Sequence, residues 1–188
     1  MSEKKPGILV LVVGPSGAGK DTLIDGARQA LEGDSRFSFA RRLVTRPADI
    51  DVEDHVSLDR AEFARAARAG RFALTWQAHG LDYALSIGVD TDLALGRVVI
   101  ANISRHAVPR ALARYPHCRV VQVSAEISLR AERLARRGRE NRDQILSRLA
   151  REGAVLPADV SPLVIDNSSS AGIGVAAFVM ALRQIAGE

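Results

Sequence analysis

Apolar residues run unbroken from Ile8 to Val13 and then give way to a glycine-rich turn, Gly14-Pro15-Ser16-Gly17-Ala18-Gly19-Lys20. A continuous run of β-branched residues and leucine predicts a strand buried on both faces, the habit of a parallel sheet. Past the turn, Leu23, Ile24, Ala27 and Leu31 fall on one face of a helix. Residues 37–44 predict a strand and residues 45–56 a polar loop. Asp59 and Glu62 form a capping-box pair that opens a helix, which Gly70 stops. Residues 72–76 read as a short strand, 78–86 as a polar and aromatic loop, and a helix through Leu93 ends at Gly96. A buried strand follows at 98–101, a helix at 108–115 and a strand at 120–123. Two helices, 127–137 and 141–155, are parted at Gly138; a last strand at 163–165 precedes a closing helix over 173–185. Strands alternating with helices specify an α/β protein whose parallel sheet is covered on both sides.

The 188 residues suffice for one domain. The longest apolar run is too short to cross a bilayer and has no cleavage site after it, so neither a membrane nor a leader is expected. One cysteine, Cys118, excludes an internal disulfide and fits a reducing, cytoplasmic setting; its placement at a strand start reads as a buried thiol. The net charge of +4 and pI near 9.8 suit nucleic acid or a pocket for small polyanions. The basic residues are scattered and form no nucleic-acid module, which favours the pocket. Only three of the 26 basic residues are lysines: Lys4 and Lys5 in the polar tail, and Lys20 in the turn.

That turn has a specific chemistry. Glycines allow consecutive backbone N–H groups to face an anion, the following helix adds its positive end, and a lysine reaches the outer phosphates. Gly14, Pro15, Ser16, Gly17, Ala18, Gly19 and Lys20 meet the pattern between a strand and a helix. The residue after the lysine is Asp21, with Thr22 next, where Ser or Thr is usual. Asp21 has two readings: a hard oxygen ligand for Mg²⁺, or a charge that favours the helix N-terminus.

Beyond the loop the chain resembles the guanylate kinases over nearly its whole length. Thr45-Arg46-Pro47 and Gly80 through Tyr83 look like their acceptor-phosphate segments. Arg133-Leu134-Ala135-Arg136-Arg137-Gly138-Arg139-Glu140, followed by Ile145 and Arg148-Leu149, looks like their arginine-bearing lid. The departures lie where guanine would be read: Leu74 stands for a glutamate, Asn102 and Ser104 for an acidic pair, and Asp49 for an arginine. Purine N–H groups facing leucine would be buried without acceptors, at about 1–3 kcal/mol each.

Gly19-Lys20-Asp21, Arg41-Arg42, Trp76 through Leu81 and Asn102-Ile103-Ser104-Arg105 are instead similar to the ribose 1,5-bisphosphate phosphokinases; Ala84 beside Tyr83 is a small mismatch. The resemblance implies a three-layer α/β/α P-loop core with a five-stranded parallel sheet, over residues 7–44, 87–128 and 156–188. It also implies an acceptor insertion at about 45–86, a lid at about 129–155, and use of ATP and Mg²⁺ on a phosphorylated sugar. It casts Lys20, Arg133, Arg137 and Arg148 as catalytic, and Arg42, Arg46, His79, Tyr83 and Arg105 as acceptor ligands. Asn167 would meet the adenine edge. His79 reads equally well as a structural loop residue, and Arg136 with Glu132 as a solvated i,i+4 pair. A kinase with another small acceptor, a silent binding module, and a monomer or a homodimer all stay open at this stage.

Overall fold

The computed structural model describes residues 5–46, 55–78, 80–136, 145, 149 and 156–187. Its centre is β1 (Ile8–Val13), of which Leu9 through Val13 are fully buried. Successive side chains alternate across a strand, so Leu9, Leu11 and Val13 enter one apolar cluster while Val10 and Val12 enter the other. The second cluster is closed by α1 (Lys20–Ala30) through Leu23, Ile24 and Ala27, and by α6 (Ala171–Ala186) through Phe178, Ala181 and Leu182. The first is closed by α3 (Gly88–Ala94) through Val89 and by α4 (Val108–Arg114) through Val108 and Ala111. This is the expected three-layer α/β/α core.

The core sheet has the order β2–β7–β1–β8–β9, with β2 at Phe37–Ala40, β7 at Val98–Asn102, β8 at Cys118–Ser124 and β9 at Leu163–Asp166. Every pairing in it is parallel. The chain leaves β1 toward the β2 edge and later fills the opposite side with β8 and β9. The carboxyl end of β1 therefore lies at a switch in strand order, where open α/β sheets leave a crevice.

A second, mixed sheet runs β4 (His55–Ser57), β3 (Arg42–Val44), β6 (Leu81–Ser86) and β5 (Phe72–Ala78). It corrects two expectations. Residues 37–44 are not one strand: β2 pairs with β7 of the core, β3 pairs with β4 and β6, and only Arg41 separates them. Residues 81–86 are not a loop but a strand paired antiparallel to both β5 and β3, so tertiary pairing overrides their mixed polarity.

The capping box forms as expected: Asp59 accepts from the Glu62 backbone at 2.7 Å and Glu62 accepts from the Asp59 backbone at 2.9 Å, opening α2 (Arg60–Arg68). After β8 comes α5 (Ile127–Arg136); within the expected lid segment beyond it, Ile145 and Leu149 are described and are helical. Among the described residues no helix is long and apolar enough to cross a membrane.

Candidate active site

The glycine turn occupies the crevice. Gly14 passes so close to β8 that a Cβ there would collide with the Val123 carbonyl oxygen. Gly19, at φ 87°, caps α1 in the left-handed region, and a Cβ on it would strike the Asn167 amide nitrogen. Neither position accepts a side chain. Lys20 Nζ donates to the carbonyls of Gly14 (2.8 Å) and Pro15 (3.0 Å), so its ammonium lies over the turn at the positive end of α1. Asn167, expected at the adenine edge, is instead 2% exposed and donates its amide to the Ala18 carbonyl at 2.8 Å. Its observed part is to brace the turn from beneath.

Asp21 stands in the first turn of α1. Its Oδ1 accepts from Asn102 Nδ2 at 2.7 Å and pairs more loosely with Arg42 Nη2 at 3.4 Å. Oδ2 accepts nothing among the described residues. Nor, among the described residues, do three His, Cys, Asp or Glu side chains gather there into a metal cage. The donor set suits a hard cation that takes most of its ligands from water and phosphate oxygens, as Mg²⁺ does, with one carboxylate from the protein.

Arginines approach the turn from α5. Arg133 Nη1 lies 3.4 Å from the carbonyls of both Gly17 and Ala18, and its Nη2 donates to the Asn167 carbonyl at 3.0 Å. One turn earlier, Arg130 is buried and donates Nε to the Ser16 carbonyl at 3.0 Å. Burial, then the neighbouring Arg105, holds the Arg130 guanidinium below its ordinary value; burial lowers Arg105 as well. A guanidinium keeps its charge under such shifts, so this side of the turn is electropositive. Arg136 bonds Glu132 at 2.5 Å in the exposed i,i+4 pair expected of it.

The second sheet supplies a narrow cleft lined by Arg42, Val44, Arg46, His55 and Tyr83, with a volume of about 10 Å³. Register puts these groups on one face: Arg42 lies opposite His55, and Val44 opposite both Ser57 and Tyr83. Tyr83 stacks on the buried Trp76 with ring centroids 5.5 Å apart, which fixes the phenol. Thr45 anchors Arg46 by accepting from the Asp82 backbone at 2.8 Å while its own N–H bonds the Asp82 carbonyl at 3.0 Å. His55 Nε2 and Ser57 Oγ are buried with no hydrogen-bond partner among the described residues. A buried polar atom left unpaired costs about 1–3 kcal/mol, so each calls for an explanation. A cavity of about 290 Å³ beside Gly7, Leu93 and Tyr115 lies at the opposite end of β1 from the glycine turn.

No protein-family model matches the chain. Comparison with curated proteins is decisive: the chain is 51% identical over 180 residues, 96% of its length and 94% of the relative's, to ribose 1,5-bisphosphate phosphokinase PhnN of Brucella abortus. It belongs to the ribose 1,5-bisphosphate phosphokinase family. A Methylobacterium radiotolerans phosphokinase of the same name is 48% identical over 178 residues, covering 95% of this chain and 98% of the relative. In Cupriavidus necator a bifunctional ribose 1,5-bisphosphokinase-thymidine phosphorylase is 48% identical over 180 residues, 96% of this chain and 30% of that one. Among solved structures, guanylate kinase from Anaplasma phagocytophilum superposes with a TM-score of 0.68 at 15% identity, over 98% of this chain and 89% of that one. That likeness speaks to the fold.

For a ribose 1,5-bisphosphate phosphokinase the departures at Leu74 and Asn102 have structural causes. Leu74 is 5% exposed and belongs to the core cluster under the second sheet. Asn102, the last residue of β7, is turned onto Asp21. Of the expected site residues, Lys20, Asp21, Asn167 and Arg133 meet at the turn, and Arg42, Arg46 and Tyr83 meet in the cleft. Arg105 opens a short 3₁₀ turn just after β7, beside Arg130. His79, Arg137 and Arg148 lie outside the described residues. Sequence reasoning missed His55, hidden in a stretch read as loop, and Arg130, one more arginine among many. Only three-dimensional neighbours distinguish either.

Proposed function

We propose that this chain phosphorylates ribose 1,5-bisphosphate with ATP, forming 5-phosphoribosyl diphosphate by attack of an acceptor phosphate on the γ-phosphoryl group. The single observation that carries this reading is the near-full-length 51% identity to a relative named for that substrate. The site supports it chemically. The Gly14–Thr22 turn cradles the triphosphate, and Lys20 transfers its hydrogen bonds from the Gly14 and Pro15 carbonyls to the outer phosphates. Asp21 would hold Mg²⁺, which when bound neutralises charge on the phosphates. Arg133, joined by Arg137 and Arg148 of the lid (about 129–155), spreads positive charge around the transferred group.

The insertion (about 45–86) presents Arg46, His79 and Tyr83 to the acceptor, with Arg42 and Arg105 beside them. A phosphate monoester has a second pKa near ~6, so the nucleophilic oxygen is already ionised near neutral pH and needs no general base. What remains is alignment of two phosphates in line and exclusion of water, which lid closure provides. The product is a phosphoribosyl donor, which fits a cytoplasmic step in phosphonate breakdown.

A coupled ADP-release assay over ribose 1,5-bisphosphate, ribose 5-phosphate, GMP and gluconate tests the reading. Turnover with the bisphosphate well above all others is the expected result. GMP as the best acceptor, or no turnover with any, overturns it.

A further inference from the structure

Arg42 faces two ways. It lines the cleft with Arg46, His55 and Tyr83, and it reaches out of the cleft to the Asp21 carboxylate at 3.4 Å. Its side chain is 16% exposed and that of Asp21 31%, so water screens the pair in part and leaves it exchangeable. Behind Arg42, on the same face of the second sheet, lie His55 Nε2 and Ser57 Oγ, two of the three buried side-chain atoms without a partner among the described residues; the third, Asn167 Oδ1, is at the glycine turn. Among the described residues this face is thus short of a polar ligand, while its arginine leans on a carboxylate at the head of α1. The Asn102 amide fixes that carboxylate from the end of β7, so Asp21 cannot follow Arg42 back into the cleft.

We propose that Arg42 is shared between Asp21 and the acceptor anion, so that a cation taken by Asp21 releases Arg42 to the acceptor cleft. The inference rests on the functional reading above and adds a coupling between its two sites. A guanidinium on Asp21 is a bound competitor of any divalent cation there, and an acceptor phosphate is a competitor of Asp21 for the guanidinium. Cation and acceptor therefore favour each other's binding without touching, and by linkage each raises the other's affinity by the same factor. Asn102 is the positioning residue: it holds the carboxylate where both cations can reach it.

The test is calorimetric titration of ribose 1,5-bisphosphate into the full chain, with EDTA present and nucleotide absent. Asp21→Asn removes a charge that holds Arg42, and the acceptor dissociation constant should fall at least about five-fold. Asp21→Ser, small enough for the same position, should change it in the same direction. In an Arg42→Ala background neither substitution should tighten binding. Unchanged affinity in both Asp21 variants overturns the proposal; so does a gain that persists without Arg42, which would report only a removed negative charge. A wild-type protein that neither binds nor phosphorylates the sugar overturns the functional reading, whereas a wild type that does both with no gain in the variants overturns the shared arginine alone.

Discussion

Asn102 at the end of β7 donates to Asp21 in the first turn of α1 at 2.7 Å, joining residues 81 positions apart. The amide fixes a carboxylate beside the phosphate-binding turn without contributing a second charge. Asn102→Asp would set two carboxylates in contact, and repulsion would raise the pKa of one of them. A raised carboxyl pKa in the folded state costs stability as pH climbs through the interval above the unfolded value. We expect a loss of about 1–3 kcal/mol near neutral pH, relieved below about pH 4, and a larger rise in Tm on adding MgCl2 than in the wild type. Thermal melts over pH and Mg²⁺ would check it; an unaltered Tm in every condition contradicts the contact.

Lys20→Ala should leave the fold intact, because the ammonium bonds the Gly14 and Pro15 carbonyls of the turn and Lys20 belongs to neither apolar core cluster. Turnover should drop at least ~100-fold, the usual scale for removing one donor to a developing anion. Melting and ADP release measured on the same preparation separate the two effects.

Arg133 reaches two loop carbonyls and Asn167 with both arms of its guanidinium. A lysine cannot reproduce that fork. Arg133→Lys should therefore behave like Arg133→Ala, with kcat lowered at least ~10-fold and Tm reduced by only a few degrees. Full activity in the lysine variant would show that charge alone suffices.

Leu74→Glu looks from the sequence like a way to restore a guanine reader. The structure assigns a different outcome, since Leu74 is 5% exposed within the core cluster. A carboxyl there is buried beside Trp76 and Leu85, and the loss should be about 3 kcal/mol or more, with no gain of GMP phosphorylation. Urea denaturation and the acceptor panel read both.

Stability should fall at alkaline pH in two stages. Burial pushes the Cys118 thiol up to about 11, and burial with the hydrogen bond to Asp90 pushes the Tyr115 phenol up to about 12. Both groups become charged on losing a proton, and the folded chain keeps that proton longer than the unfolded one. Their contribution is whole below about pH 9 and disappears as pH rises to about 12, at most about 2–3 kcal/mol each. Urea midpoints in this range should decline less steeply in Cys118→Ala at the lower end and in Tyr115→Phe at the upper end.

The core was legible in the sequence because its strands are buried on both faces and read as plain apolar runs, β1 above all. The second sheet was not. Its strands β3 and β4 have three residues each, and Asp82 and Tyr83 give β6 a loop-like composition that cross-strand pairing overrides. At the site, the glycines and Lys20 announce themselves because phosphate binding needs that spacing. Asp21 was visible as an anomaly, but its meaning depends on Asn102 and Arg42, which no local pattern connects to it. His55 looked like one polar residue in a polar stretch; its significance lies in a buried imidazole nitrogen with no hydrogen-bond partner among the described residues.

The single residue between β2 and β3 has a mechanical consequence. Arg41 is the joint at which the second sheet departs from the edge of the core, and Arg42 is the first residue past it. The sheet rejoins the core after β6, and Trp76 and Leu85 sit in one apolar cluster with Leu9, Leu11 and Val13 of β1, so the outer sheet is bolted to the inner one at both ends and through its middle. An arginine seated at such a riveted seam stays within arm's length of helix α1.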